Sequence, residues 1–185
     1  MAELHVYNSI SLDGAFTDAA GDMSWAHHRD PEWLAFVGSN ARGAARYLFG
    51  RVTYDMMAGF WPTPAAQMMN PDVVKAMNET PKFVASRSLE RSAWSNSTVL
   101  QGELVPAVAA LKASEGADLL IMGSGSVVAQ LSEARLIDQY QLVLNPLALG
   151  GGRTLFQGMT AQLPLELRDS RVFRNGSVVL TYRLG

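Results

Sequence analysis

The 185-residue chain predicts a three-layer α/β/α domain built on a mixed, mainly parallel sheet with a C-terminal antiparallel hairpin. Three observations carry that prediction. Short apolar runs alternate with amphipathic segments along most of the chain, the pattern of β-α-β units whose strands are covered on both faces. Asp30-Pro31 and Asn70-Pro71 each pair a capping residue with a first-turn proline, marking helix starts between those runs. Near the end, Asn175-Gly176 is the favoured dipeptide of a type I′ hairpin and joins two further strand candidates.

Taken in order, Leu4–Ile10 (LHVYNSI) reads as a buried first strand. Ser11-Leu12-Asp13-Gly14 turns it into a polar, glycine-containing loop that runs to about Arg29. Beyond the Asp30 cap, Leu34, Val37, Ala41 and Ala44 recur at helical spacing, so a helix is expected over residues 31–45. Residues 47–49 (YLF) form a short strand candidate, and Gly50-Arg51-Val52-Thr53 looks like a helix entered straight from that strand. Residues 59–70 (GFWPTPAAQMMN) are the one long irregular insertion. A short helix follows to about Met77, then a strand over 82–86 (KFVAS), a short strand over 98–100 and a helix over 103–113 closed by Gly116. The clearest β-α-β unit is strand 119–122, helix 125–133 and strand 140–145, and the hairpin strands are 165–173 and 177–184. About eight strands and four or five helices result. No repeat, low-complexity tract or linker divides them, so one domain is expected over residues 1–185.

Composition narrows the function classes. The hydrophobic fraction of 48% is ordinary, whereas the charged fraction of 17% lies below the usual quarter and suits an oligomer. A net charge of −2 and a pI near 5.9 offer no general attraction to nucleic acid or an anionic membrane. The absence of cysteine removes disulfides, thiolate metal sites and cysteine nucleophiles, and fits a reducing compartment. MAELHVYNSI has no basic lead-in, and no run of eighteen apolar residues exists, so a cytoplasmic protein without a membrane span is expected. His5, His27 and His28 come without HExxH or a cluster of acids, and no metal site is expected.

The stretch with most chemical content is 119–156, where the apolar run LLIM empties into Gly123-Ser124-Gly125-Ser126 at a helix start. Glycines let a backbone come close to a phosphate, and a helix start supplies unpaired N–H donors and the positive end of its dipole. An ordinary Gly-Ser turn is the alternative. A standard Rossmann domain is not indicated, because Val128 stands where the third glycine of G-x-G-x-x-G belongs. Neither a P-loop nor a G-x-S-x-G elbow occurs, which leaves a serine hydrolase using Ser124 or Ser126 remote. Two further turns fall at expected carboxyl ends of strands, Gly50-Arg51-x-Thr53 and Ser86-Arg87-Ser88, where α/β sheets bind ligands. Each alone could be a helix cap or a common loop.

Together the segments SISLDG, LFGRVTYDMM, KFVASRSL, LLIMGSGSVVAQL and LIDQYQLVLNPLALGGGRTLF resemble the dihydrofolate reductase-like superfold. They are most similar to the branch that includes the C-terminal reductase domain of the bacterial bifunctional deaminase-reductase of riboflavin biosynthesis. The resemblance implies an NADPH site. Gly50, Arg51 and Thr53 would face the pyrophosphate and adenosine side, Ser86 and Arg87 the 2′-phosphate, and Gly123, Ser124, Gly125 and Ser126 the pyrophosphate. Val127 would lie against the cofactor, with the backbone of Ser9 and the ring of Phe16 near the nicotinamide. If Arg51 and Arg87 contact the 2′-phosphate, NADPH is preferred over NADH.

The catalytic end carries over less completely. Dihydrofolate reductases keep a pocket carboxylate on the first helix, and Leu34 stands near that place, so classical dihydrofolate reduction is not expected. Asp13 and Asp30 are the candidate catalytic carboxylates, with a self-bonded turn and a helix N-cap as their respective plain readings. Trp25, Tyr54 and Trp61 are candidates for an aromatic wall against a flat substrate, with core packing as the alternative. The usual fused deaminase domain with its zinc motif is not found in the sequence. The implied function is therefore an NADPH-dependent oxidoreductase acting on a small planar conjugated substrate of pterin, pyrimidine or related type, including 5-amino-6-ribosylamino-uracil-type chemistry. An NADP(H)-binding module without turnover is the alternative. Relatives of this branch pair as homodimers, and the same is expected here.

Overall fold

In the computed structural model, which describes residues 1–41, 45–69 and 71–185, the alternating segments become ten strands and five α-helices among the described residues. In chain order these are β1 (Leu4–Ile10), β2 (Ala15–Thr17), α1 (Pro31–Ala41), β3 (Ala45–Gly50), α2 (Arg51–Phe60), α3 (Pro71–Glu79), β4 (Lys82–Ala85) and β5 (Ser97–Val99). They continue with α4 (Leu104–Ala113), β6 (Asp118–Met122), α5 (Gly125–Glu133), β7 (Gln139–Leu144), β8 (Arg153–Thr154), β9 (Leu165–Val172) and β10 (Val178–Leu184). Eight strands form one sheet in the order β5-β4-β3-β6-β1-β7-β10-β9. Neighbours from β5 through β7 run parallel, while β10 is antiparallel to both β7 and β9. The mixed, mainly parallel sheet with its closing hairpin is as the sequence predicts.

Period-two alternation sorts the strand side chains to two faces. Leu4, Val6, Leu48, Leu119 and Ile121 are fully buried on one face beneath Val108 of α4 and Val127, Val128 and Leu131 of α5. On the other face, Tyr47, Phe49 and Val84 pack with Tyr54 of α2 and Met77 of α3. Trp33 of α1 meets Val143, Phe173 and Val179 further along that side. Two helices thus cover one face and three the other. Asp30 begins α1 by accepting the Trp33 N–H on Oδ1 at 2.9 Å, a third-position N-cap bond.

Buried among the α2–α3 layer is a lysine. Lys82 is 1% exposed, and its ammonium donates to the carbonyls of Asn78, Thr80 and Ser95 at 3.2, 2.7 and 3.2 Å. It lies 4.5 Å from the Trp94 ring centroid. Burial pulls its pKa down to about 8, and the three acceptors and the ring face favour the charged form in return.

Two departures from the sequence reading have local causes. The first helix is described only through Ala41, and Ala45 already belongs to β3, so apolar spacing carried the helix expectation too far. Ala44 and the cap assigned to Asn70 fall outside the described residues. Strands β2 and β8 pair with each other in a separate two-stranded sheet, and segments of three and two residues are too short to show a period. This small sheet ties the loop after β1 to the loop after β7.

Candidate functional site

At the carboxyl edge of the sheet, β6 lies between β3 and β1. The chain leaves β3 into α2 and leaves β1 towards α1, both on one face, but leaves β6 into α5 on the other. Adjacent strands that send their chains to opposite faces open a crevice between them, the usual ligand position in an open α/β sheet.

Two helix starts meet in that crevice. Gly50 is both the last residue of β3 and the N-cap of α2, while Gly123 and Ser124 lead into α5 with φ of 71° and 68°. Ser124 Oγ accepts the Gly50 N–H at 2.8 Å and is 2.7 Å from Thr53 Oγ1. Left-handed backbone costs a non-glycine residue roughly 1–2 kcal/mol, which these side-chain bonds offset. On the opposite side, the Gly123 N–H donates to Asn8 Oδ1 at 3.1 Å. The glycines are required by closeness. A Cβ on Gly50 would stand 2.5 Å from Ser124 Oγ, one on Gly123 3.0 Å from Thr53 Oγ1, and one on Gly125 2.6 Å from Phe16 Cε1. Neither helix start carries a side-chain cap, so first-turn N–H donors and both positive dipole ends are presented together.

The backbone of Ser9 borders the same crevice. Glu3 O accepts from Leu119 N on the β6 side, whereas Leu4 O and Ile10 O accept from Asp138 N and Asn145 N on the β7 side. Odd-numbered residues of β1 therefore turn their polar groups towards β6. Pairing with β6 ends at Tyr7↔Met122, while pairing with β7 continues to Ile10↔Leu144. Ser9 consequently faces the gap beyond the end of β6. Phe16, on β2, covers Gly125.

The remaining cofactor candidates lie around this centre in different states. Arg51 is half-exposed and paired with Asp55 at 2.7 Å. Ser86 Oγ accepts the N–H groups of Ser88 and Leu89 at 3.2 and 3.0 Å. Arg87 is exposed and makes no hydrogen bond or ion pair with a described residue. Ser86 and Arg87 line a hollow of about 430 Å³ with Leu100 and Gly102, at the ends of β4 and β5 and the approach to α4. Ser126 is exposed on α5. Val127 is only 4% exposed, and its N–H is taken by Ser124 O, so it belongs to the core.

The catalytic and aromatic candidates need correction. Asp13 accepts from the Ser11 hydroxyl at 2.5 Å and from the N–H groups of Leu149 and Gly150 at 3.1 and 2.8 Å. Those bonds, the Ser11 hydroxyl first, hold its pKa down to about 2. Asp13 is thus an ionised tie between loops. Asp30 is the α1 cap, its other oxygen accepting from Asn175 Nδ2 at 2.9 Å, and its pKa is lowered chiefly by the Trp33 N–H. Neither carboxyl is free to donate a proton. Tyr54 is 4% exposed, its hydroxyl 2.6 Å from Ser92 Oγ and receiving the Trp94 N–H, so it packs beneath α2 and forms no open wall. Trp61 Nε1 donates to Met57 Sδ at 3.0 Å, and half-buried Trp25 donates to Asp22 O at 3.2 Å. Among the described residues, no three His, Asp or Glu side chains gather as a metal site.

The family model of the RibD C-terminal domain matches residues 3–179. The chain belongs to the RibD C-terminal domain family. A solved structure of a putative riboflavin biosynthesis protein from Shewanella sp. PV-4 superposes with a TM-score of 0.75 at 25% identity, covering 100% of this chain and 99% of that one. A Thermotoga maritima diaminohydroxyphosphoribosylaminopyrimidine deaminase/5-amino-6-(5-phosphoribosylamino)uracil reductase shares the fold. It matches with a TM-score of 0.72 at 14% identity, over 100% of this chain and 57% of its own. Protein YyaP of Bacillus subtilis (strain 168) is 23% identical over 174 residues, 94% of this chain and 90% of that protein. No helix among the described residues is long and apolar enough to cross a membrane.

At the end of β7 lies a cluster that sequence reasoning passed over. Asn145, fully buried at the end of β7, donates through Nδ2 to the carbonyls of Ile10 and Val143 at 3.2 and 3.1 Å. Its Oδ1 is thereby fixed as an acceptor, and it faces His28 Nε2 at 2.6 Å. The imidazole therefore carries a hydrogen on Nε2. Ser177 Oγ lies 3.1 Å from the same nitrogen, and the ring meets Trp33 edge-on at 5.3 Å. The available signal was the asparagine of the NPLALGGG run, whose partner stands 117 residues away.

Proposed function

We propose that this chain is an NADPH-dependent reductase of a small planar conjugated substrate, of pyrimidine, pterin or related heterocyclic class, and that classical dihydrofolate reduction is not its reaction. In this reading residues 1–185 act as one domain, in the cytoplasm and as a homodimer. The observation that carries it is the pair of uncapped helix starts joined through Ser124 at the switch point of the sheet. A pyrophosphate fits this cradle, because the glycines bring backbone close and the donors and dipoles converge. The family and the reductase named among its structural neighbours support the same class.

Gly50, Thr53 and residues 123–126 form the pyrophosphate cradle; the Gly50 and Gly123 N–H groups are held by Ser124 Oγ and Asn8 Oδ1, so the donors offered to the ligand are those of the helix first turns that follow. Arg87 and Ser86 hold the 2′-phosphate, Arg87 being a cation with no partner among the described residues, whereas Arg51 must first release Asp55. The Ser9 backbone holds the carboxamide end, and Phe16 limits its depth. Bound NADPH supplies the reducing equivalent. His28 holds and delivers the proton through Nδ1, since Asp13 and Asp30 are committed as ionised ties. Asn145 and Ser177 keep the imidazole oriented.

Titration of the protein with NADPH and NADH by fluorescence, followed by absorbance-monitored NADPH oxidation against pterin, pyrimidine and quinone-like panels, tests the proposal. Tight NADPH binding with oxidation by a planar heterocycle is expected. Binding without turnover supports the module reading, which the engaged carboxylates favour, and no binding of either cofactor overturns both.

A further inference from the structure

β1 carries two hydroxyls that the fold leaves without a partner. Tyr7 and Ser9 are two residues apart on the strand, so their side chains share a face of the sheet, with Cα atoms about 7 Å apart. That face is the one covered by α1, because Tyr7 packs against the cluster of Trp33, Val143, Phe173 and Val179. Neither hydroxyl makes a hydrogen bond with a described residue. Neither is sealed in the interior either, since Thr17 Oγ1 is the one buried side-chain polar atom without a partner among the described residues. Tyr7 and Ser9 are both half-buried. Their bodies are packed while their polar tips stay reachable.

The strand register puts this pair at the crevice. Tyr7 stands beside Met122, the last residue of β6, whereas Ser9 pairs with Val143 of β7 and has no partner on β6. Met122 packs with the α2–α3 cluster that contains Tyr47, Phe49 and Tyr54. Tyr7 therefore stands at the seam between the α1 cluster and the α2–α3 cluster, where the chain of β6 turns away to the other face. The side chains on both flanks of that seam are largely apolar. Burial pushes the Tyr7 pKa above its ordinary value, so the phenol keeps its hydrogen and can donate it to a hydrogen bond.

We propose that the hydroxyls of Tyr7 and Ser9 are the substrate-reading pair of this site, taking the polar edge of a flat heterocycle that carries a ring carbonyl next to an N–H. This rests on the reductase reading above and narrows its substrate class to pyrimidine- and pteridine-dione rings. Each hydroxyl both donates and accepts, so the pair matches a carbonyl and an N–H in either order. The apolar surroundings strengthen those bonds, and a ring without such an edge leaves the hydroxyls unpaired beneath it. The phenol transfers no proton. It holds the ring and draws negative charge towards the carbonyl oxygen. The plain alternative is a pair of hydroxyls that bond only to solvent.

The test is calorimetric titration of the full chain, Tyr7→Phe and Ser9→Ala with lumazine, a planar pteridine dione, and with uracil, in the presence and absence of NADPH. Thermal unfolding and a separate NADPH titration run alongside. Each variant is expected to bind both rings about three- to tenfold more weakly than the parent, the worth of one neutral hydrogen bond. Tyr7→Phe keeps the packed ring and removes an oxygen that bonds nothing in the protein, so its melting midpoint and its NADPH affinity are expected to match the parent. A parent that binds neither ring, a Tyr7→Phe that binds them as tightly as the parent, or a Tyr7→Phe that melts lower overturns the proposal. Hydroxyl-dependent binding of the rings by a chain that does not bind NADPH supports the pair and overturns the cofactor reading alone.

Discussion

Gly50→Ala tests whether the contact between the two helix starts builds the site. Gly50 has φ of −79° and ψ of 165°, a conformation alanine adopts freely, so backbone strain does not enter. The effect is steric. The new methyl would meet Ser124 Oγ at 2.5 Å, Ser124 Cβ at 2.8 Å and Val127 Cγ2 at 3.2 Å, whereas ordinary contact begins near 3.4 Å. Ser124 Oγ must withdraw by about 0.9 Å, the difference between the closest of these distances and ordinary contact, and its bonds to the Gly50 N–H and Thr53 hydroxyl lengthen with it. Overpacking of this kind costs about 1–3 kcal/mol, and in a chain of this size each kcal/mol lowers the melting midpoint by about 2–4 °C. Splaying the cradle also loses charge-assisted bonds to the pyrophosphate, so NADPH affinity is expected to fall about ten- to a hundredfold.

Ser124→Gly is the matched control. It removes both Ser124 atoms that the methyl meets, at a φ of 68° where glycine is at ease. The double variant is therefore expected to be more stable than the sum of the single changes implies, the signature of a direct contact. Thermal unfolding and fluorescence titration read both quantities. If Gly50→Ala melts lower but binds NADPH as tightly as the parent, the contact between the helix starts is structural only and the cradle reasoning fails.

Arg87→Ala should weaken NADPH about ten- to a hundredfold and leave NADH unchanged; equal losses for both cofactors would remove the 2′-phosphate role. The Ser11 hydroxyl and the Leu149 and Gly150 N–H groups hold the Asp13 pKa down from its ordinary 3.8 to about 2, so its stabilising contribution is present above the higher value and lost as pH falls through the lower. The Gly150 amide resonance should track that titration and cease to do so in Asp13→Asn. Lys82→Met leaves three buried carbonyls without their donor and should cost about 1–3 kcal/mol in a denaturant titration. Because burial lowers the Lys82 pKa from 10.5 to about 8, the unfolded chain holds more protons between those values, and this residue's share of stability rises with pH there in the parent alone. His28→Gln keeps a donor for Asn145, so it should retain the parental melting midpoint while kcat falls; an unchanged kcat would move proton delivery elsewhere.

How much of this was legible depended on how far each signal reached along the chain. β1 and α5 occupy the spans read from sequence, because an apolar strand and a Gly-Ser helix start are local patterns. The parallel core with a closing hairpin followed from the order of such patterns. β2 and β8 were invisible, being too short for a period and held by pairing with each other across the chain. Asp13 was read as a catalytic candidate with a turn role as the alternative, because the donors that hold it, the N–H groups of Leu149 and Gly150, lie 136 and 137 residues away. Tyr54 followed the same logic in reverse. Its helical position beside Gly50 suggested the pocket, yet only the tertiary contact with Ser92 and Trp94 shows that its ring faces the core.

Glycine and serine residues were recognisable as site-forming, but the reason each is needed was not. Gly123 bends the chain at a φ of 71°, Gly50 admits the hydroxyl of Ser124, and Gly125 admits the ring of Phe16. The first is a conformational demand that a sequence can suggest, and the other two are spatial demands created by residues on other elements. This division separates what a sequence can suggest at the cofactor end of the proposed site from what it cannot suggest at the other end. Phosphate recognition uses backbone donors at helix starts, which leave a local glycine signature. A proton donor is one side chain oriented by others, and the residues around the proposed donor His28, Asn145 and Ser177, come together only when β7 and β10 lie side by side.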